Sequence, residues 1–458
     1  MTPTTWLGEW WLPGDRDRRV PGNLVVGDDD GAELHVLGSL TNGQPNGELP
    51  VVLGRTLEGG PVTLEDVRYA GSNQRSSQWL EEPVRTERLA ARVAYVGEEL
   101  PAESDRAFRL ARLGFTDLHE WIGRGGFDED IHDLPRVNLS YEPPPDMTAK
   151  LGFGTISIHQ GWTTTGDLSR SRTIQKNVEY SVTADDAMTM SEWLSTVVRP
   201  LRHLMTFATE RPNDVTSLTF THSDQESEAV PHQIEAHYSR VSVIAAQDRA
   251  HPSEMLIAGS HLGNDLPAVL TRWFELTART GLVIDRLLAP RYRPDTFMEN
   301  RFLDVIGAAE GYHRATRSNA VLPRAAHRLR VSSIVGSAPV EHRIWLKDRL
   351  ANSNEPTLHD RLVELCGWVS GLVAPVMDPA PQYVKSVVEA RNAATHVGTR
   401  QRPMPAGRDL WRLTEQTTVL LEACILKDLG LDDDKASEAL ARTRRFRTLS
   451  AWHLSGVR

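Results

Sequence analysis

Residues 389–398 read EARNAATHVG, and this stretch decides how the second half of the chain is read. Upstream of it, Tyr383, Val387, Ala390, Ala394 and Val397 recur at spacings of four and three, so one stripe of a single helix can face a core. Pro379 and Pro381 open that helix, and Gly398 with Pro403 close it. The polar residues fall on other faces. At about 100° per residue, Asn392 and His396 lie about 40° apart, whereas Arg391 and His396 diverge by about 140°. Either the long Arg391 side chain reaches around the helix, or two copies of it meet across a two-fold axis and build a composite site.

Working outward, the flanking segments keep the helical period from about Pro252 to the end: LPAVLTRWFELTARTGLVIDRLL (266–288), ENRFLDVIGAAEGYHRATR (299–317), HRIWLKDRL (342–350), LHDRLVELCGWVSGL (358–372) and DLWRLTEQTTVLLEACILKDLGL (409–431). Residues 251–458 are therefore expected to form an all-α bundle, with Pro290 and Pro294 breaking its first pair. The first part reads differently. WLGEWWLPG (6–14), GNLVVGD (22–28), AELHVLGSL (32–40), RLAARVAYVG (88–97), FGTISIH (153–159) and NVEYSVTA (177–184) are short apolar or alternating runs bounded by Gly, Pro, Asn and Asp. A helix is expected near 190–208, followed by a return to strands in TSLTF, at Ile234 and in RVSVIAA. The expectation is a multidomain α+β chain: a β-rich region over 1–250, then the bundle over 251–458.

A length of 458 residues, 40% hydrophobic and 24% charged, suits two or three globular domains. Neither a basic leader followed by an apolar run nor a stretch of about 18 uninterrupted apolar residues is present, so a cytosolic chain with no membrane partner is expected. Cys366 and Cys424 sit in apolar helical patterns away from any C-x-x-C spacing and read as buried thiols. The net charge is −10, yet Pro381–Arg458 carries 13 Lys/Arg against 9 Asp/Glu. Its densest cluster, Arg442, Arg444, Arg445 and Arg447 in RTRRFR, is a candidate RNA-binding surface with Phe446 as a candidate base-stacking ring; a solvated tail helix is the competing reading.

An Arg, an Asn and a His of this kind match the needs of RNA cleavage by internal transesterification. His396 can take a proton from the 2′-OH, Arg391 can neutralise the phosphoryl oxygens, and Asn392 can orient either through its amide. No metal or other cofactor is required by that route. Arg-x4-His is a weak signal by itself, since 45 Arg and 16 His produce about one or two such spacings by chance. Glu310 and His313, three apart in AAEGYHRA, are candidate supporting residues, with a plain interhelical contact as the alternative. His119 and Glu120 lack a partner at ligand spacing, and Asp28–Asp30 and Asp432–Asp434 lack the pattern of a calcium loop. Phosphate-binding, dinucleotide-binding, serine-hydrolase and zinc-protease motifs are absent from the sequence.

AAEGYHRA (308–315), KDRLANSN (347–354), VEARNAATHVG (388–398) and the closing LKDLGL (426–431) resemble the HEPN domain of ApeA-type bacterial anti-phage proteins, and the long β-rich region is similar to the domain that precedes HEPN there. The resemblance implies a metal-independent endoribonuclease of abortive infection, active as a homodimer through its HEPN domain. It implies that Arg391, Asn392 and His396 are the catalytic set. RNA is the implied substrate, transfer RNA one candidate, and the N-terminal region the place where a phage-derived trigger would be sensed. Two other readings stand beside it: a noncatalytic HEPN-type module binding RNA, a nucleotide or a phage protein, and a carbohydrate or peptide binder built on Trp6, Trp10, Trp11, Trp79, Trp121 and Trp162, which are equally suited to a core.

Overall fold

The computed structural model describes residues 4–27, 31–41, 48–75, 84–123, 125–130, 138–167, 169–222, 232–240, 248–395 and 405–455. The chain divides into two compact units. One comprises Met1–His119, Arg124–Arg202 and Asn213–Ala245; the other comprises Glu120–Gly123, His203–Pro212 and Ala246–Arg458.

The first unit is β-rich. Its strands are β1 (Thr4–Trp11), β2 (Val20–Val26), β3 (Ala32–Leu37), β4 (Glu48–Thr56), β5 (Gly60–Arg75), β6 (Val84–Val96), β7 (Ala107–Phe115), β8 (Phe127–Asp130), β9 (Asn138–Tyr141), β10 (Met147–Leu151), β11 (Gly154–Asp167), β12 (Ser171–Thr189), β13 (Val215–Thr221) and β14 (Ile234–Tyr238). All pair antiparallel. Strands β6-β3-β2-β1-β4-β5 form a ring that β5 closes back onto β6, and β14-β13-β7-β12-β11-β10 continue as an open sheet from β6. Strand β6 is shared between the two. Its residues Thr86–Ala91 pair with β3 and Val93–Val96 pair with β14 along the same edge.

Alternation fixes which side chains fill the barrel. In β3, Ala32, Leu34 and Val36 are buried while His35 and Leu37 face out, the two-residue period of a pleated strand. The interior is packed by Trp10, Leu24, Leu34, Val52, Leu64 and Leu89, with Trp6 lying partly buried against them. Trp10 packs flat on Gly54, where an added Cβ would stand 2.2 Å from its ring. Gly54→Ala is therefore expected to lower stability by about 1–3 kcal/mol, read as a drop in Tm, because the ring has no room to retreat. At one end of the barrel the fully buried Glu87 accepts hydrogen bonds from the Leu40 and Thr41 amides at 2.9 and 3.3 Å and from the Thr41 hydroxyl at 2.9 Å. Burial alone would raise its pKa, but these bonds and that of Ser39 outweigh it and hold the carboxyl below its ordinary value.

The expected strands that fall among the described residues are present, and β4, β5, β7, β8, β9 and β10 are additions to them. The helix expected near 190–208 begins at a capping box, in which Thr189 and Glu192 satisfy each other's backbone amides. It runs as α2 (Met190–Trp193), a π segment (Leu194–Val198) and α3 (Arg199–Thr209). TSLTF lies in β13 and Ile234 opens β14, while residues 241–246 of RVSVIAA lie outside the described residues.

The remaining helices are α1 (Leu118–Ile122), α4 (Gly259–Leu262), α5 (Leu266–Thr280), α6 (Leu282–Tyr292), α7 (Met298–Thr316), α8 (Arg324–Ser337), α9 (Arg343–Arg349), α10 (Leu358–Trp368), α11 (Ser370–Val373), α12 (Ala380–Thr395), α13 (Arg408–Asp428), α14 (Asp433–Arg442) and α15 (Arg444–Ser455). The stretch 266–288, read as one helix, is two. Gly281 takes φ +52°, a left-handed conformation that ends α5 and costs glycine little. Pro290 lies inside the last turn of α6 and does not end it. Cys366 and Cys424 are free and buried, as expected, and burial pushes the Cys366 thiol up to about 12.

Around the long, almost wholly buried α13, the helical unit is tied by a charged cluster. Glu422 is fully buried and accepts from Arg291 Nη2 and Arg445 Nη1, both at 2.6 Å. Arg445 Nη1 also reaches Glu210 at 2.8 Å, its Nε binds Glu415, and Arg291 binds Glu210. Glu210 stands just past the end of α3 at φ +61°, a conformation that favours glycine. Its two arginine partners explain why a glutamate is kept there.

Candidate functional site

Helix α12 buries Tyr383, Val384, Val387 and Ala390, so the core stripe holds over about two turns; Ala394 is only half-buried, and Val397 lies outside the described residues. The helix is pinned to α13 by a polar contact within the core. Thr417 donates its hydroxyl proton to the Leu413 carbonyl at 2.7 Å, so Tyr383 must be the donor in its 2.6 Å contact with Thr417. Cys366 of α10 approaches Met377 at 3.9 Å, which folds α10 back against the start of α12.

On the last turn, Arg391 and Asn392 are adjacent and half-buried, with Arg391 Nη1 3.5 Å from Asn392 Oδ1. Thr395 donates its hydroxyl to the Arg391 carbonyl at 2.9 Å, closing the turn locally. A cation and an amide thus sit side by side, partly open to solvent, on a helix whose other face is rigidly packed. His396, the third member of the expected set, lies one residue past the described end of α12 and outside the described residues, as do Gly398 and Pro403.

Glu310 and His313 part company. Glu310 faces Arg314 on its own helix at 3.7 Å, while His313 is fully buried. Its Nδ1 accepts from Arg361 Nη1 at 3.0 Å, which leaves Nε2 to donate to Glu364 at 2.7 Å. Arg361, itself 1% exposed, donates onward to Asn319 Oδ1 at 2.5 Å. No hydrogen bond or ion pair links Glu310 or His313 to Arg391; the interhelical reading fits His313 and the helix-stabilising one fits Glu310.

The basic cluster of the tail divides in a similar way. Arg445 is spent on Glu210, Glu415 and Glu422, and Arg442 donates to the Met255 and Leu256 carbonyls at 3.3 and 3.4 Å. Phe446 is buried, so it stacks on no base. Of the four arginines, Arg444 and Arg447 are the exposed pair. The tail is helical, as the competing reading had it, but not wholly solvated, because α15 buries Phe446 and Leu449.

Among the N-terminal tryptophans, Trp10, Trp11 and Trp121 are buried, Trp6 is half-buried, Trp162 is exposed, and Trp79 lies outside the described residues. Trp121 donates to the Ile257 carbonyl at 2.9 Å. A groove of about 1070 Å³ on the barrel is lined by Leu7, Asn23, His35, Leu37, Leu57 and Arg88 among others, with no tryptophan among them. Trp10, Trp11 and Trp121 serve the core. His119 is exposed and Glu120 faces Arg249, while Asp432 caps α14 by accepting from the Lys435 amide at 2.8 Å; Asp28–Asp30 lie outside the described residues. Among the described residues no group of three or more His, Cys, Asp or Glu is arranged to hold a metal ion, and no helix is long and apolar enough to cross a membrane.

Sequence reading missed Arg361 and the cluster around Glu422. Each is a charged residue on the buried face of a helix, and only the tertiary partner makes that placement affordable.

The described geometry agrees with what comparison of the sequence finds. The model of the ApeA N-terminal domain 1 matches residues 5–273, more than half of the chain, and the model of the Apea-like HEPN domain matches residues 303–435, which include Arg391, Asn392 and His396. No curated protein and no solved structure matches. HEPN domains are generally associated with ribonucleases. With the strands of the barrel and sheet covered by the first match, which runs on into α5, and helices α8–α13 covered by the second, the chain belongs to the ApeA family and carries an Apea-like HEPN domain.

Proposed function

We propose that the protein is a cytoplasmic endoribonuclease of an anti-phage, abortive-infection system, cutting RNA by attack of the 2′-OH on the adjacent phosphorus. The observation that carries the reading is the pair Arg391 and Asn392, held half-open on the last turn of α12 with His396 next in sequence beyond Thr395. In this reading His396 removes the 2′-OH proton, the oxygen attacks phosphorus, the 5′-oxygen leaves with a proton, and Arg391 neutralises the charge that builds on the phosphoryl oxygens. Asn392 orients the imidazole or the phosphate. The products are a 2′,3′-cyclic phosphate and a 5′-hydroxyl, and DNA is inert because it lacks the nucleophile.

Because ideal helical spacing would set Arg391 and His396 about 140° apart, the site in this reading is completed by a second copy across a two-fold axis. The chain works as two parts, 1–250 as the sensor of a phage-derived trigger and 251–458 as the nuclease, with Arg444 and Arg447 contributing phosphate contacts. Transfer RNA is one substrate to test. The deciding experiment incubates total RNA with the wild type and with His396→Ala, both in EDTA, and maps the ends. Cleavage that survives EDTA, is lost in the variant and leaves cyclic phosphates is expected; equal cutting by the variant would sink the assignment and favour a noncatalytic binding module.

A further inference from the structure

Between α7 and α10 the chain makes a helical hairpin, α8 and α9, in which no residue is buried. Its stem is built with care. Asn354 clasps the strand of chain before α8: its carbonyl and Oδ1 accept from the Val321 and Leu322 amides at 2.8 and 2.9 Å, and its Nδ2 donates to the Leu322 carbonyl at 2.9 Å. Below the clasp, Arg361 holds Asn319, and Glu355 faces Arg314 at 3.2 Å. The buried His313–Arg361 pair is thus the footing of an arm. An arm anchored this firmly still leaves Leu329, Val340, Ile344 and Trp345 exposed at 72, 73, 79 and 59%. Side chains of that kind on a short hairpin call for a covering surface.

The arm's charge narrows what covers it. Arg324, Arg328, Arg330, Arg343, Lys347 and Arg349 face only Glu341 and Asp348, leaving 45 basic and 59 acidic side chains in the rest of the chain. Apart from Arg343, which caps the end of α8 through the Ala338 and Gly336 carbonyls, these basic side chains make no ion pair or hydrogen bond among the described residues. A polyanion alone would satisfy the arginines and leave Leu329 and Ile344 wet. A lipid surface takes helices whose charged and apolar faces are segregated, and here Arg330 falls between Leu329 and Ile334 around α8. A folded, net-acidic protein surface answers both needs, and the second copy required by the site is such a surface.

We infer that the α8–α9 arm grips the body of a second copy of this chain, away from that copy's own arm, since two basic arms laid on each other would repel. Two-fold symmetry makes the exchange reciprocal, one arm from each copy. This occupant rests on the two-copy reading of the site, and the test separates the two. Sedimentation velocity on the full chain compares the wild type with Ile344→Glu/Trp345→Glu and with Arg324→Glu/Arg328→Glu/Arg330→Glu. All the altered side chains are exposed, so circular dichroism and Tm should match the wild type. The wild type should sediment as a dimer whose dissociation constant rises about 30-fold or more in both variants. Dimers of unchanged affinity in both variants would overturn the arm's role and leave the two-copy site standing; a wild type monomeric at every concentration would overturn both. Intact variant dimers that lose binding to oligouridylate, or to anionic vesicles, would overturn it in favour of that ligand.

Discussion

Arg391→Ala is expected to lower the single-turnover rate of RNA cleavage by about 10²–10⁴-fold while changing the stability read from thermal unfolding by less than about 1 kcal/mol. Both halves follow from where the side chain stands. The core face of α12 is Tyr383, Val384, Val387 and Ala390, and Arg391 stands off that face, half-buried with its Nη1 3.5 Å from Asn392 Oδ1, so little packing is lost. On the proposed mechanism, what is lost is a permanent cation at the phosphate. Arg391→Lys keeps the charge but not the fork that meets two phosphoryl oxygens, and should recover only part of the rate. The loss should fall on the rate at saturating RNA and not on KM, because the added charge is felt as phosphorus becomes pentacoordinate. A variant that binds RNA poorly yet cuts at full rate when saturated would make Arg391 a binding residue and not a catalytic one.

Arg445→Ala should be the most damaging single change to stability, by about 3–5 kcal/mol, because it strands buried carboxylates. Two arginines, Arg291 and Arg445, face three glutamates, and the set is neutral when Glu422 carries a proton. Burial pushes the Glu422 carboxyl up to about 8; the adjacent Glu210 adds to that, against the pull of Arg445 and Arg291. Burial would raise Glu210 too, but the same two arginines outweigh it and hold it below its ordinary value. The consequence for pH is directional. Between the ordinary value of 4.5 and about 8 the folded protein keeps a proton on Glu422 that the unfolded chain has released, so this group's contribution to stability declines as pH rises through that window. Glu422→Gln fixes the neutral form. Its Tm should be near that of the wild type in acid, and the decline toward pH 8 should be flatter. A wild-type and variant pair that lose stability in parallel would place the proton elsewhere.

How much of this was legible beforehand depends on which forces wrote each element. Strands β1, β2, β3, β6, β11 and β12 carry an alternation that burial on one face imposes, and they are readable as such. Strand β7, AFRLARLGF, does not keep it: Arg109 and Arg112 are both exposed three residues apart, a spacing that resembles a helix face. Helix α12 was readable because Tyr383, Val387 and Ala390 face the core. Helix α8 was not, because it buries nothing and so has no stripe to read; the missing signal was itself the sign of an arm. The tail arginines mislead for the opposite reason. RTRRFR looks like an exposed basic run, yet Arg445 and Phe446 turn inward to partners more than twenty residues away or to a core that no local pattern announces. At the site, Arg391 and Asn392 were identifiable by type and spacing, whereas Arg361 required the tertiary placement of His313.

The shared edge of β6 sets an order of assembly during synthesis. Every strand of the barrel lies within the first 96 residues, so the ring can close as soon as that length has left the ribosome. The edge at Val93–Val96 then waits for β14, which begins at Ile234, so the nascent chain carries an open strand edge through about 140 further residues of translation. The growing chain is most exposed to wrong partners in that interval, and chaperone dependence should concentrate there.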